Sequence, residues 1–234
     1  MAFMGVANPL IALLNTDDGT YRDGFKCGSS VSTNVTPNYA EGTNYGDNKA
    51  VTYKRKFTNA SLSMTVTELP AASATIMFGH AIDAASGEVK YSSTDNPPYV
   101  GYGYVVDKET DAGESLFEAN FLPKVRFAED GIEMQTRGDS ITFNNPALSG
   151  AAVEDTRGNW RYSKDFKTAL AGEVWVKNKL NMEVQYQEVT PVGTENPSIM
   201  PWYTRTGTEG AYVYTLSEDT EVQSGTTYYE VVVE

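Results

Sequence analysis

The chain offers little to do chemistry with. Its one histidine, His80, is the only side chain whose ordinary pKa lies near neutrality. Its one cysteine, Cys27, is the only thiol. A Cys27–His80 nucleophile pair would need flanking signatures that neither residue has. His80 directly follows Gly79, which closes an expected helix, so a capping or surface role is expected for it. Cys27 reads as a small strand residue. "TDDGTYRDG" (16–24) opens like a calcium loop but lacks the alternating oxygens and closing Glu, so a turn is expected there. There is no phosphate loop, no dinucleotide fingerprint and no carboxylate pair spaced for acid and base work. No catalytic residue, metal site or cofactor is therefore expected, and the chain does not read as an enzyme. One motif of another kind stands out: Arg137-Gly138-Asp139, within "QTRGDSITFNNPALSG" (135–150), is the tripeptide that integrins read.

The elements around these residues are mostly strands. In "ASLSMTVTEL" (60–69), Leu62, Met64 and Val66 alternate with Ser and Thr, the period of a half-buried strand. "YVGYGYVV" (99–106) sets Val100, Tyr102 and Tyr104 against glycines. "LFEANFLPKVRF" (116–127) alternates around Pro123, which marks an edge or a bulge. "DSITF" (139–143), "EVQYQEV" (183–189) and "TTYYEVVV" (226–233) continue the theme. Two helices are expected. "PAASATIMFG" (70–79) has Pro70 at its first position and Gly79 as its stop. "TALAGEVWVKNKL" (168–180) has Thr168 as N-cap and Lys177 and Lys179 in its last turn, with Gly172 weakening its middle. Residues 34–57 lack a core-forming pattern and read as a long polar loop. Its Tyr39, Tyr45 and Tyr53 suit a contact role.

The formal charge is -13, from 18 basic and 31 acidic residues. Residues 183–234 hold nine acidic residues and only Arg205 on the other side, a net of -8. Such a balance excludes wrapping a nucleic acid through a cationic surface. One cysteine excludes a disulfide framework. "PLIALLN" (9–15) is too short to span a bilayer and lacks the features of a signal peptide, so synthesis in a cytoplasm is expected.

Over 121–161 the chain resembles the major tail proteins of long-tailed, non-contractile bacteriophages, which build the tail tube. The pieces are Lys124, Val125 and Phe127; then Thr136, Gly138, Asp139, Ile141, Phe143, Pro146 and Gly150; then Gly158, Trp160 and Arg161, followed by a helix with Trp175. Upstream come Gly79, His80 and Asp83, then Pro98 to Gly103. The match runs in order over 1–182, and its order and spacing carry it. On this resemblance, Arg137-Gly138-Asp139 is the lead into a strand and no adhesive motif.

The resemblance implies a mainly β fold: a β-sandwich or partly closed barrel with one or two short flanking helices and a long inter-ring loop. Residues 1–182 would be the tail-tube β domain and 183–234 an acidic, Tyr-rich β extension, outward and dispensable for assembly. The partners implied are further copies in stacked hexameric rings, other tail proteins such as tape measure and terminator, and phage DNA passing through without specific binding. The place implied is the virion. Tyr39, Tyr45 and Tyr53 become candidate inter-ring contacts. Trp202, Tyr203 and Tyr212 are candidates for binding host-surface glycans. The rival reading is a carbohydrate- or receptor-binding β-sandwich of a phage particle, with "WYTR" and "YVYT" as its platform.

Overall fold

A computed structural model describes residues 2–47, 49–83, 85–129, 144–190, 201–209, 211–218 and 221–232. Arg137-Gly138-Asp139 and the expected strand 139–143 lie outside the described residues. The protein is mainly β, with antiparallel sheets and two helices.

The main sheet runs in the order β2-β1-β7-β8-β9-β4-β3, with β10 pairing β8. Its strands are β1 (Ala2–Leu14), β2 (Tyr21–Lys26), β3 (Ser30–Gly46), β4 (Lys49–Val66), β7 (Val100–Glu109), β8 (Ser115–Glu129), β9 (Ala147–Ala152) and β10 (Tyr162–Phe166). The sheet is open, ending at β2 and β3, so it is no closed barrel. Two short strands, β5 (Ala81–Ile82) and β6 (Val89–Lys90), pair separately.

The bulge expected at Pro123 is present. Tyr102 faces Leu122 and Val100 faces Val125, so the register slips across Pro123-Lys124. Before the slip β8 lies between β7 and β10; after it, β8 passes to β9. A proline has no N–H to give a ladder, and the sheet turns where one is missing. The Tyr21 hydroxyl donates to the Pro123 carbonyl at 2.8 Å and holds that corner.

One core fills the concave side. Ile11, Leu62, Met64, Val66, Val100, Tyr102, Leu122, Val125, Phe127 and Leu148 are all buried there, closed at one end by Met77 and Phe78. The alternation of 60–66 and 100–104 places these side chains. Above them lies α1 (Ala72–Ile76). Pro70 precedes this helix instead of opening it, because Ala71 is the N-cap. Gly79, at φ 76°, ends it as expected, and the Gly79 and His80 N–H groups donate back to the Thr75 and Ala74 carbonyls.

The second helix, α2 (Ala169–Lys179), lies on the opposite face over Leu10, Val105, Ala119 and Phe121. Thr168 caps it, accepting from the Ala171 N–H at 3.2 Å. The glycines of "YVGYGYVV" explain the close approach. A Cβ on Gly101 would come within 2.6 Å of Leu180, and one on Gly103 would overlap Val176. Gly172 sits at the same interface, 3.4 Å from Val105 by the same measure. The helix runs through it unbroken.

Residues 34–57, expected as a loop, form instead the greater part of the β3–β4 hairpin. Pairing continues from Ser30↔Val66 to Gly46↔Lys49, with slips at Ser30/Ser32, Asn38/Tyr39 and Asn44/Tyr45. β9 covers β4 only from Ala60 to Thr65. Beyond Ala60, among the described residues, the hairpin is a two-stranded arm. Its sequence lacks an apolar alternation because this ribbon has little buried face to fill.

Residues 183–234 build their own sheet, β11-β14-β12-β13, from β11 (Tyr186–Val189), β12 (Tyr203–Thr206), β13 (Val213–Leu216) and β14 (Tyr228–Val231). It packs on the outer side of α2, where Val174 is buried among Tyr203, Tyr229 and Val231. "TTYYEVVV" thus pairs within this sheet and not with an edge of the main one.

Candidate functional site

The arm has two unlike faces, because side chains alternate along paired strands. One face carries the facing pairs Tyr39–Phe57, Glu41–Arg55 and Thr43–Tyr53. Its contacts are largely internal. Phe57 stacks on Trp160 at 5.1 Å with planes 13° from parallel, and Tyr39 meets Phe57 edge-on at 6.0 Å. The Arg55 guanidinium lies 3.7 Å from the Tyr39 ring centre and pairs with Glu41 at 3.1 Å. Tyr39 remains 36% exposed beside these neighbours, and Tyr53 is 59% exposed. Tyr45 belongs to β3, but its side chain lies outside the described residues.

The other face carries Ala40 opposite Lys56 and Gly42 opposite Lys54. Both lysines are exposed, and the small residues across from them leave a shallow hollow. Neither lysine is ion-paired among the described residues. The arm therefore shows an aromatic face whose charges are paired within the chain and a cationic face whose lysines have no ion pair among the described residues.

The aromatic platform expected in the extension is not there. Trp202 and Tyr203 are each 3% exposed. Tyr203 faces α2, and Trp202 packs on Tyr228 at 5.0 Å while its indole N–H donates to Glu230 at 3.3 Å. An alternating strand sends neighbours to opposite faces, and here both faces are covered. Tyr212 alone of the three is exposed, with Arg205 over its ring at 4.1 Å.

His80 departs from its expected surface role. Its backbone closes α1, but its side chain is enclosed. Nδ1 lies 2.6 Å from Asp95 and Nε2 3.3 Å from Glu129, with the Tyr91 ring 4.4 Å away. The hydrogen bond with Asp95 raises the His80 pKa above its ordinary value, and the same bond lowers that of Asp95. The three residues are 15 and 34 positions apart in sequence, with no local signal linking them. A second polar knot joins Lys108 to Glu118 and Asp165, and Glu118 to Arg161 at 2.8 Å. It ties β7, β8 and β10 together where the apolar core ends.

Both His80 nitrogens are engaged by carboxylates. Cys27 is fully buried, and burial pushes its thiol up to about 12. The turn expected over 16–24 occupies 16–20, and Tyr21 already opens β2: Asp18 accepts from the Thr20 N–H and hydroxyl, and Gly19 takes φ 74°. Among the described residues no His, Cys, Asp and Glu cluster could hold a metal ion, and no helix is long and apolar enough to cross a membrane. Neither the protein-family models nor the curated proteins give a match to this chain.

Proposed function

We propose that the chain is the structural subunit of a bacteriophage tail tube, assembling with its own copies into stacked hexameric rings that conduct DNA during ejection. Tape-measure and terminator proteins would be its other partners, the virion its place, and no reaction its task. The observation that carries this reading is the arm. An isolated two-stranded ribbon is marginally stable in water at best, and this one runs well past the last strand that supports it. Its edges offer unpaired backbone groups, and a closed ring or a stacked neighbour removes that liability. The ordered set of motifs over 1–182 points the same way. The glycan-binding alternative is less favoured, since of its three named aromatics only Tyr212 is exposed.

Electron microscopy of concentrated protein tests the reading. Rings or tubes of uniform width are expected. Deleting residues 40–50 should leave a folded subunit that no longer stacks. A wild-type chain that stays monomeric at every concentration and salt, also with other tail proteins present, would refute it.

A further inference from the structure

We propose that the Lys54/Lys56 face of the arm seats on the acidic C-terminal sheet of a second copy of this chain. The inference rests on the assembly reading above and assigns a counter-surface to the arm and a role to residues 183–234. The arm's aromatic face is occupied by Trp160, Phe57, Tyr39, Arg55 and Glu41. That face pairs its charges internally, whereas the lysine face, with its hollow over Ala40 and Gly42, keeps two exposed lysines with no ion pair among the described residues and so is the side left for a charged partner.

Charge selects the occupant. Residues 34–57 contain four basic and two acidic residues, a local excess of positive charge in a chain of net -13. Residues 183–234 are the opposite extreme at -8. Within one chain the arm pairs with itself and is held at its root by Trp160, and the C-terminal sheet packs on α2. The complementary surfaces are thus left to meet between copies. The C-terminal sheet also presents a suitable rim. β13 is its edge strand, Tyr212 and Val213 on that strand side are 40% and 59% exposed, and exposed Glu209 and Glu218 bracket them. An extended cationic ribbon laid along this edge gains charge pairs at Glu209 and Glu218 and covers apolar surface between them.

Salt and charge exchange test the docking in the full chain. The critical concentration for assembly, read by light scattering, should rise between about 50 mM and 300 mM NaCl, where screening shortens the reach of exposed charges. K54E/K56E should raise it roughly tenfold or more at low salt, since like charges would then face each other. E209K/E218K should do the same. Combining all four changes should restore assembly toward wild type. All four positions are exposed, so circular dichroism should show each variant folded. A photo-crosslinker in place of Thr52, exposed on the lysine face across from Asn44, used in a mixture of isotope-labelled and unlabelled chains, should join 52 to peptides within 201–218 of another copy.

If tubes form but K54E/K56E assembles like wild type, or the fourfold exchange gives no rescue, or the cross-links map elsewhere, the docking is wrong and the tail-tube reading stands. If wild type makes no rings or tubes under any condition, both fall together.

Discussion

The indole of Trp160 stacks on the ring of Phe57, centroids 5.1 Å apart and planes 13° from parallel. One residue lies just before β10 and the other on β4, so this contact fixes the root of the arm to the body. Trp160→Ala should loosen the arm while leaving the main core intact. The stack itself is worth about 0.5–1.5 kcal/mol beyond the area it buries. Lys54, Arg55 and Lys56 then supply the readout, since trypsin should cut the arm of the variant faster than that of wild type. An unchanged cleavage rate would show that the stack does not hold the arm.

Gly103 should resist any side chain. A Cβ there overlaps Val176 of α2, so Gly103→Ala must push the helix off the sheet. Overpacking of this kind costs about 1–3 kcal/mol. In a double-mutant cycle with Val176→Ala, the two losses should sum to more than the double variant shows, because the smaller residue makes room. Additive losses would mean that the two sites do not meet.

The His80 clamp predicts a sign for pH dependence. The folded His80 pKa is raised from 6.5, so its contribution is complete below that value and is lost as pH rises through the folded pKa. The folded Asp95 pKa is lowered from 3.8, so its share is present above that value and is lost as pH falls through the folded pKa. Thermal stability should therefore decline from mildly acid toward alkaline pH. His80→Gln should flatten that slope. A wild-type profile that instead rises over the same range would contradict the geometry.

Truncation after Met182 should leave a folded but weaker subunit. The buried residues of both main-sheet cores lie before Met182, but Leu216, which packs against one of them, is lost, and Val174, 2% exposed in the full chain, would face water beside Leu170. Exposing such side chains costs about 2–3 kcal/mol, seen as a lower Tm. Assembly should weaken as well, because the arm of each neighbour loses its seat. This differs from the dispensable appendage that composition suggested.

The strands around 60–66, 100–106 and 116–127 were legible because each has one face in a core, and burial on one side writes a period of two into the residues. The second helix was legible for a related reason. Thr168 satisfies a free N–H, and Lys177 and Lys179 suit the opposite end, both local effects. The turn at 16–20 and the bulge at Pro123 follow from what Asp, Gly and Pro do to their own backbone.

Tertiary structure alone decided the rest. The arm reads as a loop because a ribbon with no sheet beneath most of it has no apolar face to announce. Its extended state depends on cross-strand partners such as Glu41 and Arg55, which only a register can bring together. Trp202 and Tyr203 look like exposed aromatics until Tyr203 packs with Val174 of α2 and Trp202 packs on Tyr228 of the neighbouring strand. His80 looks idle until the chain carries Asp95 and Glu129 to its two nitrogens. Backbone preference acts between near neighbours and leaves its mark in sequence; burial and charge pairing act between elements, and exist only once the elements have met.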